Sequence, residues 1–162
     1  MNVNQLDTLI QNNQIEKALH LIEEIRDKNE ADAMKYLLEQ LIYTDNHIVR
    51  NKIAIVLSDM GCQEAVEPII SLLRDPKTMG NRGTLLYALE PLNYTEHFDL
   101  LFEMLLNGNY EVSRQSFILL ERAKDSISQN LKQESKLKLS KAIEDLEDKI
   151  NFLIDVINEL KL

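Results

Sequence analysis

The residue types that most often perform chemistry are sparse in this sequence and lie too far apart to form a recognisable reaction centre. The histidines, His20, His47 and His97, fall in different registers and have no second metal ligand at helical spacing, so we interpret them as structural or surface side chains. Cys62 follows Gly61 and has no Cys or His three residues further on, which favours a small packing residue over a nucleophile. We therefore expect a protein that is not an enzyme, with no catalytic residue, metal site or cofactor.

Acidic pairs and one glycine-containing segment are the remaining patterns with chemical potential. Glu23-Glu24 and Glu144-Asp145 lie opposite apolar stripes, where adjacent carboxylates form a solvated helix face. Glycoside hydrolysis needs two carboxylates on opposite sides of a cleft, which neighbours on one helix do not supply. The segment 79–83, Met-Gly-Asn-Arg-Gly, follows no strand pattern and lacks the Gly-Lys-Ser/Thr ending of a phosphate loop. These patterns therefore indicate surface and turn structure.

Charge and composition restrict the class of protein. The 162 residues include 18 Lys+Arg and 27 Asp+Glu, a formal net charge of −9, which repels nucleic-acid backbones and anionic membranes. No apolar run approaches the roughly 20 residues of a membrane span, and the start, MNVNQLDTLI, has no basic segment before an apolar run. A single cysteine is compatible with a reducing compartment. We expect a cytoplasmic protein with neither a nucleic-acid nor a membrane partner.

An internal repeat organises the middle of the chain. Arg50, Arg82 and Arg114 are 32 residues apart, and apolar residues keep the same spacing through the intervening turns. The aligned apolar sets include Leu41, Leu73 and Leu105, and also Ile53, Leu85 and Phe117. Helical periodicity predicts a first helix in each unit at 32–43, 64–74 and 96–106, and a second at about 48–60, 80–92 and 110–123. The sequence therefore predicts three helical hairpins over residues 32–125.

Helical segments also flank the repeats. Residues 4–11 and 14–27 form a further helical pair, a degenerate first repeat that would cap the stack over 1–31. Near the other end, spacings of four and three alternate through Leu139, Ile143, Leu146, Ile150, Leu153, Ile157 and Leu160, three heptads of one helix from about 134 to 161. Because Ile154 and Val156 widen this apolar face, we expect the helix to dock on the third repeat, so that 126–162 caps a single domain. The alternative is a free coiled coil that joins two copies, so the chain is a monomer or a homodimer.

The stretch Asp45-Asn-His-Ile-Val-Arg50, followed by Ala54, Leu57 and Gly61, resembles the Asp…Val-Arg…Ala…Leu…Gly signature of HEAT repeats. The resemblance implies an all-α, armadillo-type α-solenoid whose second helices line a concave face, and a ladder of Arg50, Arg82 and Arg114 with acceptors from neighbouring repeats. The family includes scaffolds, transport adaptors, bilin lyases and DNA glycosylases. The DNA glycosylases rely on aromatic and cationic groove residues, whereas this chain has no Trp and an acidic balance.

Three residues of the second helices share a register that points away from the core stripe: Ile55, Tyr87 and Leu119. In a HEAT-like solenoid they would form an apolar column on the concave face, unless the C-terminal helix or another repeat covers them. The polar residues flanking this column are Asn51, Asp59, Glu90, Gln115 and Arg122.

An exposed apolar column with polar surroundings is typical of a protein-binding surface. We therefore expect a protein interaction module or scaffold whose partner carries a basic patch, since an acidic surface attracts cationic ones. One specific version is a small immunity protein that neutralises a basic bacterial toxin. A bilin-lyase-like enzyme component is the alternative, and only the family resemblance suggests it.

Overall fold

The protein is helical throughout the residues that its computed structural model describes, 3–28 and 31–161. These residues form nine α-helices, three short 3₁₀ helices and no strand. The helices are α1 (Val3–Gln11), α2 (Ile15–Lys28), α3 (Ala31–Tyr43), α4 (His47–Asp59), α5 (Val66–Arg74), α6 (Gly83–Ala88), α7 (Phe98–Asn107), α8 (Tyr110–Ala123) and α9 (Gln129–Leu160). The 3₁₀ helices are Gln63–Ala65, Pro76–Thr78 and Thr95–His97. Met1, Asn2, Asn29, Glu30 and Leu162, which belong to the expected caps 1–31 and 126–162, lie outside the described residues.

Asparagine side chains cap the start of two helices, α4 and α8. The predicted helices α1–α5, α7 and α8 are confirmed to within two residues at each end. The Asn46 side chain accepts hydrogen bonds from the backbone N–H groups of Ile48 and Val49, and Asn109 does the same for Val112. Asparagine is a favoured N-cap residue because its oxygen satisfies amide groups that have no partner within the helix. The turn asparagines therefore set the starts of α4 and α8.

Gly61 follows the end of α4 and closes the helix. Its φ of +66° is left-handed, a conformation that only glycine adopts without steric cost. Its N–H donates to the Ser58 carbonyl at 2.9 Å, and the Cys62 N–H donates to the Leu57 carbonyl at 2.9 Å. This pair of bonds is a Schellman motif, which satisfies the last carbonyls of the helix.

The second helix of the middle hairpin is shorter than expected, because α6 covers 83–88 and not about 80–92. Gly80 has a φ of +90°, which a right-handed helix does not allow, so the helix begins after it. Pro91 has no N–H to give the Tyr87 carbonyl and disfavours helical geometry at Glu90. The Glu90 N–H instead donates to the Tyr87 carbonyl at 3.0 Å, which tightens the chain into a turn.

The hairpins pack side by side. Within the stack α2 contacts α4, α4 contacts α6 and α6 contacts α8, while α3 contacts α5. The apolar core lies between the two helices of each hairpin and includes Leu37, Ile53, Ile69, Leu85 and Leu101, each fully buried.

Polar bonds also join consecutive hairpins. The Tyr36 hydroxyl donates to Asp7 at 2.7 Å, and burial is the main reason why the pKa of Tyr36 is raised. The Gln63 side chain both donates to the carbonyl and accepts from the N–H of Asn93, at 2.8 and 2.9 Å. These contacts tie α1 to α3, and the start of the middle hairpin to the start of the third.

The third hairpin departs from the 32-residue period by one residue. Its first helix keeps the period, since Ile69 and Leu101 are both buried. Its second helix does not, because buried positions of α8 follow those of the middle hairpin by 31 residues, as in Ala88 and Leu119, Leu89 and Leu120, and Leu92 and Ala123. The chain that links equivalent core positions of the two helices is therefore one residue shorter in the third hairpin than in the middle one. On a helix of 3.6 residues per turn, one residue corresponds to a rotation of about 100°.

The expectation that the C-terminal helix docks on the third repeat is wrong. Ile127 and Leu131 pack against the core, but no residue of α9 is buried. Its Leu, Ile and Phe residues from Leu139 to Leu160 are 38–65% exposed, and Val156 is half-buried. A 32-residue helix is about 48 Å long, whereas α8 with its 14 residues is about 21 Å long. The hairpin is therefore too short to cover α9, which contacts α7 and packs against the core through Leu131.

Candidate functional site: a groove over α4, α6 and α8

Two adjoining concavities lie on the surface formed by α4, α6 and α8, and together they are called the groove. The first has a volume of about 300 Å³ and is lined by Ile55, Gly83, Thr84, Tyr87, Glu111 and Gln115. The second has a volume of about 240 Å³ and is lined by Ser58, Asp59, Tyr87, Glu90, Pro91 and Arg122. Tyr87 lines both, so its side chain forms the boundary between them.

Tyr87 is the most exposed aromatic side chain of the groove. It lies in the short helix α6 and is 55% exposed, while Ile55 on the neighbouring helix α4 is half-buried. A tyrosine ring combines a large apolar surface with one polar end, which suits a residue that changes from water to a protein contact. The sequence-based placement of Ile55 and Tyr87 on one surface is confirmed.

Glu90 is held in place by two side chains of α8. The Gln115 amide donates to Glu90 Oε1 at 2.6 Å, and Arg122 Nη1 lies 2.8 Å from Glu90 Oε2. Glu90 is only 18% exposed, whereas Arg122 is 54% exposed, so water shields the attraction from the arginine side. Arg122 and Glu90 therefore largely neutralise each other and fix the wall of the second concavity.

The other two carboxylates of the groove are weakly compensated. Asp59 Oδ2 lies 3.6 Å from Arg26 Nη1, and both side chains are well exposed, a geometry in which solvent screens most of the attraction. Glu111 forms no ion pair with any residue in the described part of the chain. Its carboxylate lies directly against Gly83, where an added β-carbon would overlap it. Each concavity thus contains one carboxylate that is open to a cationic group.

The expectation that Leu119 belongs to the apolar column is wrong. Leu119 is fully buried, and its carbonyl accepts a hydrogen bond from the Tyr94 hydroxyl at 2.9 Å. The one-residue shift in the third hairpin turns Leu119 into the core, and Gln115 lines the first concavity beside Ile55 and Tyr87 instead. Asn51 is half-buried and lines neither concavity.

The repeated arginines do not form the expected ladder between repeats. Arg50 is 1% exposed, and its Nη1 donates to the Thr44 carbonyl at 3.5 Å. Arg82 is half-buried and donates to Thr78 Oγ1 and to the Asp75 carbonyl, both at 3.2 Å. These acceptors belong to the turn of the same hairpin and not to a neighbouring one.

Arg114 differs from the other two because it is exposed. Buried positions of α4 recur 63 residues later in α8. The residue of α8 that corresponds to Arg50 is therefore Ser113 and not Arg114. Arg114 lines a separate concavity at the end of the stack with Leu105, Tyr110 and Phe117. The sequence repeat therefore overstates the structural equivalence of the three arginines.

Five groove residues were missed by the sequence reasoning: Ser58, Gly83, Thr84, Pro91 and Glu111. Helical spacing is the signal that could have found most of them, because residues three or four apart lie on one helix face. Thr84 precedes Tyr87 by three residues, and Glu111 precedes Gln115 by four. Applying this spacing outward from Tyr87 and Gln115 would have given most of the first concavity.

His97 and Cys62 occupy structural positions, whereas His20 and His47 are exposed. His97 Nε2 lies 2.9 Å from Glu67 Oε1 across two consecutive hairpins. Cys62 is buried and its thiol donates to Glu64 at 3.5 Å, and burial raises the pKa of the thiol. Across residues 3–28 and 31–161 there is no cluster of three or more His, Cys, Asp or Glu side chains that could hold a metal ion.

None of the helices in the described part of the chain has the length and apolar character needed to cross a membrane. Comparison of the chain with known protein families, with curated proteins and with solved structures finds no match. The residues of the groove are therefore the starting point for a functional proposal.

Proposed function

We propose that the chain is a HEAT-like α-solenoid that binds a partner protein through the groove and performs no chemistry of its own. The side-by-side contacts of α2, α4, α6 and α8 support a solenoid, because a solenoid stacks each repeat on its neighbours. The single observation that carries the binding function is the exposed ring of Tyr87 between two concavities with polar walls.

The groove has the anatomy of a small binding hot spot. Hot-spot residues are enriched in Tyr, Trp and Arg, and they lie near the centre of an interface, where surrounding contacts exclude water. Tyr87 has this central position, and concavities of about 300 and 240 Å³ adjoin it on either side. A partner that inserts one side chain into each concavity would sandwich the tyrosine ring and remove it from water.

The charges of the groove favour a basic partner. Glu111 and Asp59 offer one weakly compensated carboxylate in each concavity, and the chain as a whole carries a net charge of −9. Complementary charge raises the association rate and excludes acidic competitors. These carboxylates also support the specific version in which the chain neutralises a basic toxin protein.

Quantitative capture of proteins from the host organism tests the proposal. Wild-type protein, Tyr87→Ala and Tyr43→Ala are immobilised in equal amounts, and bound proteins are compared by mass spectrometry. Tyr43 is the matched control, because it is an exposed tyrosine, at 75%, that lines neither concavity. We expect a basic protein that wild type and Tyr43→Ala retain and Tyr87→Ala loses. Equal recovery on all three proteins would contradict binding through the groove.

A further inference from the structure

An unpartnered apolar strip follows one side of α9, and it is called the seam. Its residues are Leu139, Ile143, Leu146, Ile150, Leu153, Ile157 and Leu160, all of them 38–63% exposed. The 22 residues from the first to the last span about 33 Å along the helix. With a width of about 10 Å, the seam falls in the size range of apolar patches that mark interaction sites, about 300–600 Å². We propose that the seam joins two copies of the chain in a parallel, two-stranded coiled coil.

The order of residue types in the seam identifies the kind of partner. The alternating spacings of four and three place leucine at each d position of the heptads, from Leu139 to Leu160, and isoleucine at each a position, from Ile143 to Ile157. Isoleucine at a with leucine at d favours parallel dimers, whereas other distributions favour trimers or tetramers. Lys136 occupies the preceding a position, and a single polar a residue fixes register and the number of strands.

The positions that flank the seam fit the same arrangement. In a parallel dimer a g residue of one helix lies beside the e residue of the next heptad on the other helix. Lys149 at g would thus lie beside Ile154 at e. Lysine covers apolar surface with its methylene stem and keeps its ammonium group in water. The exposed side chain of Ile154 would therefore be covered by a lysine stem of the second copy.

The geometry of the monomer favours a second copy over the chain's own body as the occupant. The seam begins eight residues after Leu131, the last residue of α9 that packs against the core. The seam is about 33 Å long, whereas the 14-residue helix α8 is about 21 Å long. An equal helix from a second copy matches the seam along its full length.

Dimerisation would bring two grooves into one particle. This goes beyond the proposed function. If the partner carries two equivalent sites, binding at the first groove raises the effective concentration of the partner at the second groove, so the dimer binds more tightly than a single groove does. The dimer forms without any partner, so its test does not depend on the groove.

The molar mass of the full chain in solution is the decisive measurement, made by light scattering over a dilution series from micromolar to hundreds of micromolar. We expect twice the chain mass of 18.8 kDa at high concentration and dissociation on dilution. The seam variant Ile150→Lys plus Leu153→Lys is expected to have the mass of one chain throughout. The control variant Leu137→Lys plus Phe152→Lys makes the same change at helix positions b and c, outside the seam, where the side chains are 71% and 65% exposed.

Three results would overturn the proposal: a monomeric wild type, a dimeric seam variant or a monomeric control variant. Circular dichroism establishes that each variant remains helical, which lysine favours by its helix propensity. The variant Leu160→Cys tests the orientation, because a parallel dimer places the two thiols within disulfide reach, whereas an antiparallel dimer separates them by about the length of the seam. We expect a covalent dimer on oxidation, with the buried Cys62 unreactive. A dimeric mass without a cross-link would contradict the parallel arrangement.

Discussion

Arg50 shows how a repeated residue acquires a role that depends on its own surroundings. It is fully buried, its Nε has no acceptor within the described part of the chain, and its one recorded hydrogen bond is long. Burial lowers the pKa of its guanidinium, while the nearby Asp45 and Asp75 act in the opposite direction. The stem of the side chain fills space in the core, and its polar end is incompletely satisfied.

This environment predicts that two substitutions of Arg50 have different effects on the free energy of unfolding. Arg50→Ala should lower the free energy of unfolding by about 2–4 kcal/mol, because it leaves a cavity in the core. Arg50→Met should change it by less than about 1 kcal/mol, because it keeps the volume and removes an incompletely paired buried charge. Urea denaturation measures both. Arg114→Ala is the control and should change stability by less than about 0.5 kcal/mol, since Arg114 is exposed. Equal losses for Arg50→Ala and Arg50→Met would show that the charge itself stabilises the fold.

The sequence assigns Tyr87 and Leu119 to one column, but the structure predicts different effects on stability when each is replaced. Tyr87→Ala should change the free energy of unfolding by less than about 1 kcal/mol, because the side chain is 55% exposed. Leu119→Ala should cost about 2–5 kcal/mol, because the side chain is fully buried. Thermal or urea unfolding of the two single variants checks this. Similar losses for the two would contradict the one-residue shift in the third hairpin.

At the scale of elements, helical periodicity predicts which segments form helices but not how each helix is rotated. The bounds of seven helices follow from apolar spacing and from turn residues such as Asn46 and Gly61. The length of the turn after α7 sets the rotation of α8, and a repeat alignment without gaps does not reveal that one residue is missing. Leu119 was misplaced for this reason, whereas Ile55 and Tyr87, which lie before the missing residue, were placed correctly.

For α9 too, local spacing predicts the helix but not its packing. Its heptads predict a long helix, and the structure contains one at Gln129–Leu160. What covers a helix depends on the size of the neighbouring elements, which local spacing does not specify. Contacts between hairpins, such as Gln63 with Asn93, were also missed, because they join residues about one repeat apart without an apolar signal.

Removal of the seam should leave the body of the protein intact. A fragment that ends at Lys136 keeps Ile127 and Leu131, which pack against the core, and loses only helix turns without a buried residue. We expect this fragment to be soluble and to unfold cooperatively at a midpoint close to that of the full chain under conditions in which both are monomeric. Differential scanning calorimetry compares the two. An insoluble or non-cooperative fragment would show that the seam covers part of the body.

At the scale of the whole molecule, the hairpins place the groove and the seam on different elements. The groove is formed by α4, α6 and α8, while the seam lies on α9 beyond Leu131, the last residue of that helix that packs against the core. Binding through the groove and association through the seam are therefore separable by mutation. Ionic strength also distinguishes them, because association of the acidic groove with a basic partner weakens with added salt, whereas burial of the apolar seam does not.

The affinity of the captured partner for the groove tests the central claim most directly. Isothermal titration of that partner into wild-type protein, Tyr87→Ala and Tyr43→Ala compares one groove tyrosine with one exposed tyrosine outside the groove. We expect Tyr87→Ala to raise the Kd by about 30-fold or more, corresponding to about 2 kcal/mol or more for a hot-spot residue, and Tyr43→Ala to leave it unchanged. An unchanged Kd for Tyr87→Ala would contradict the assignment of the groove as the binding surface.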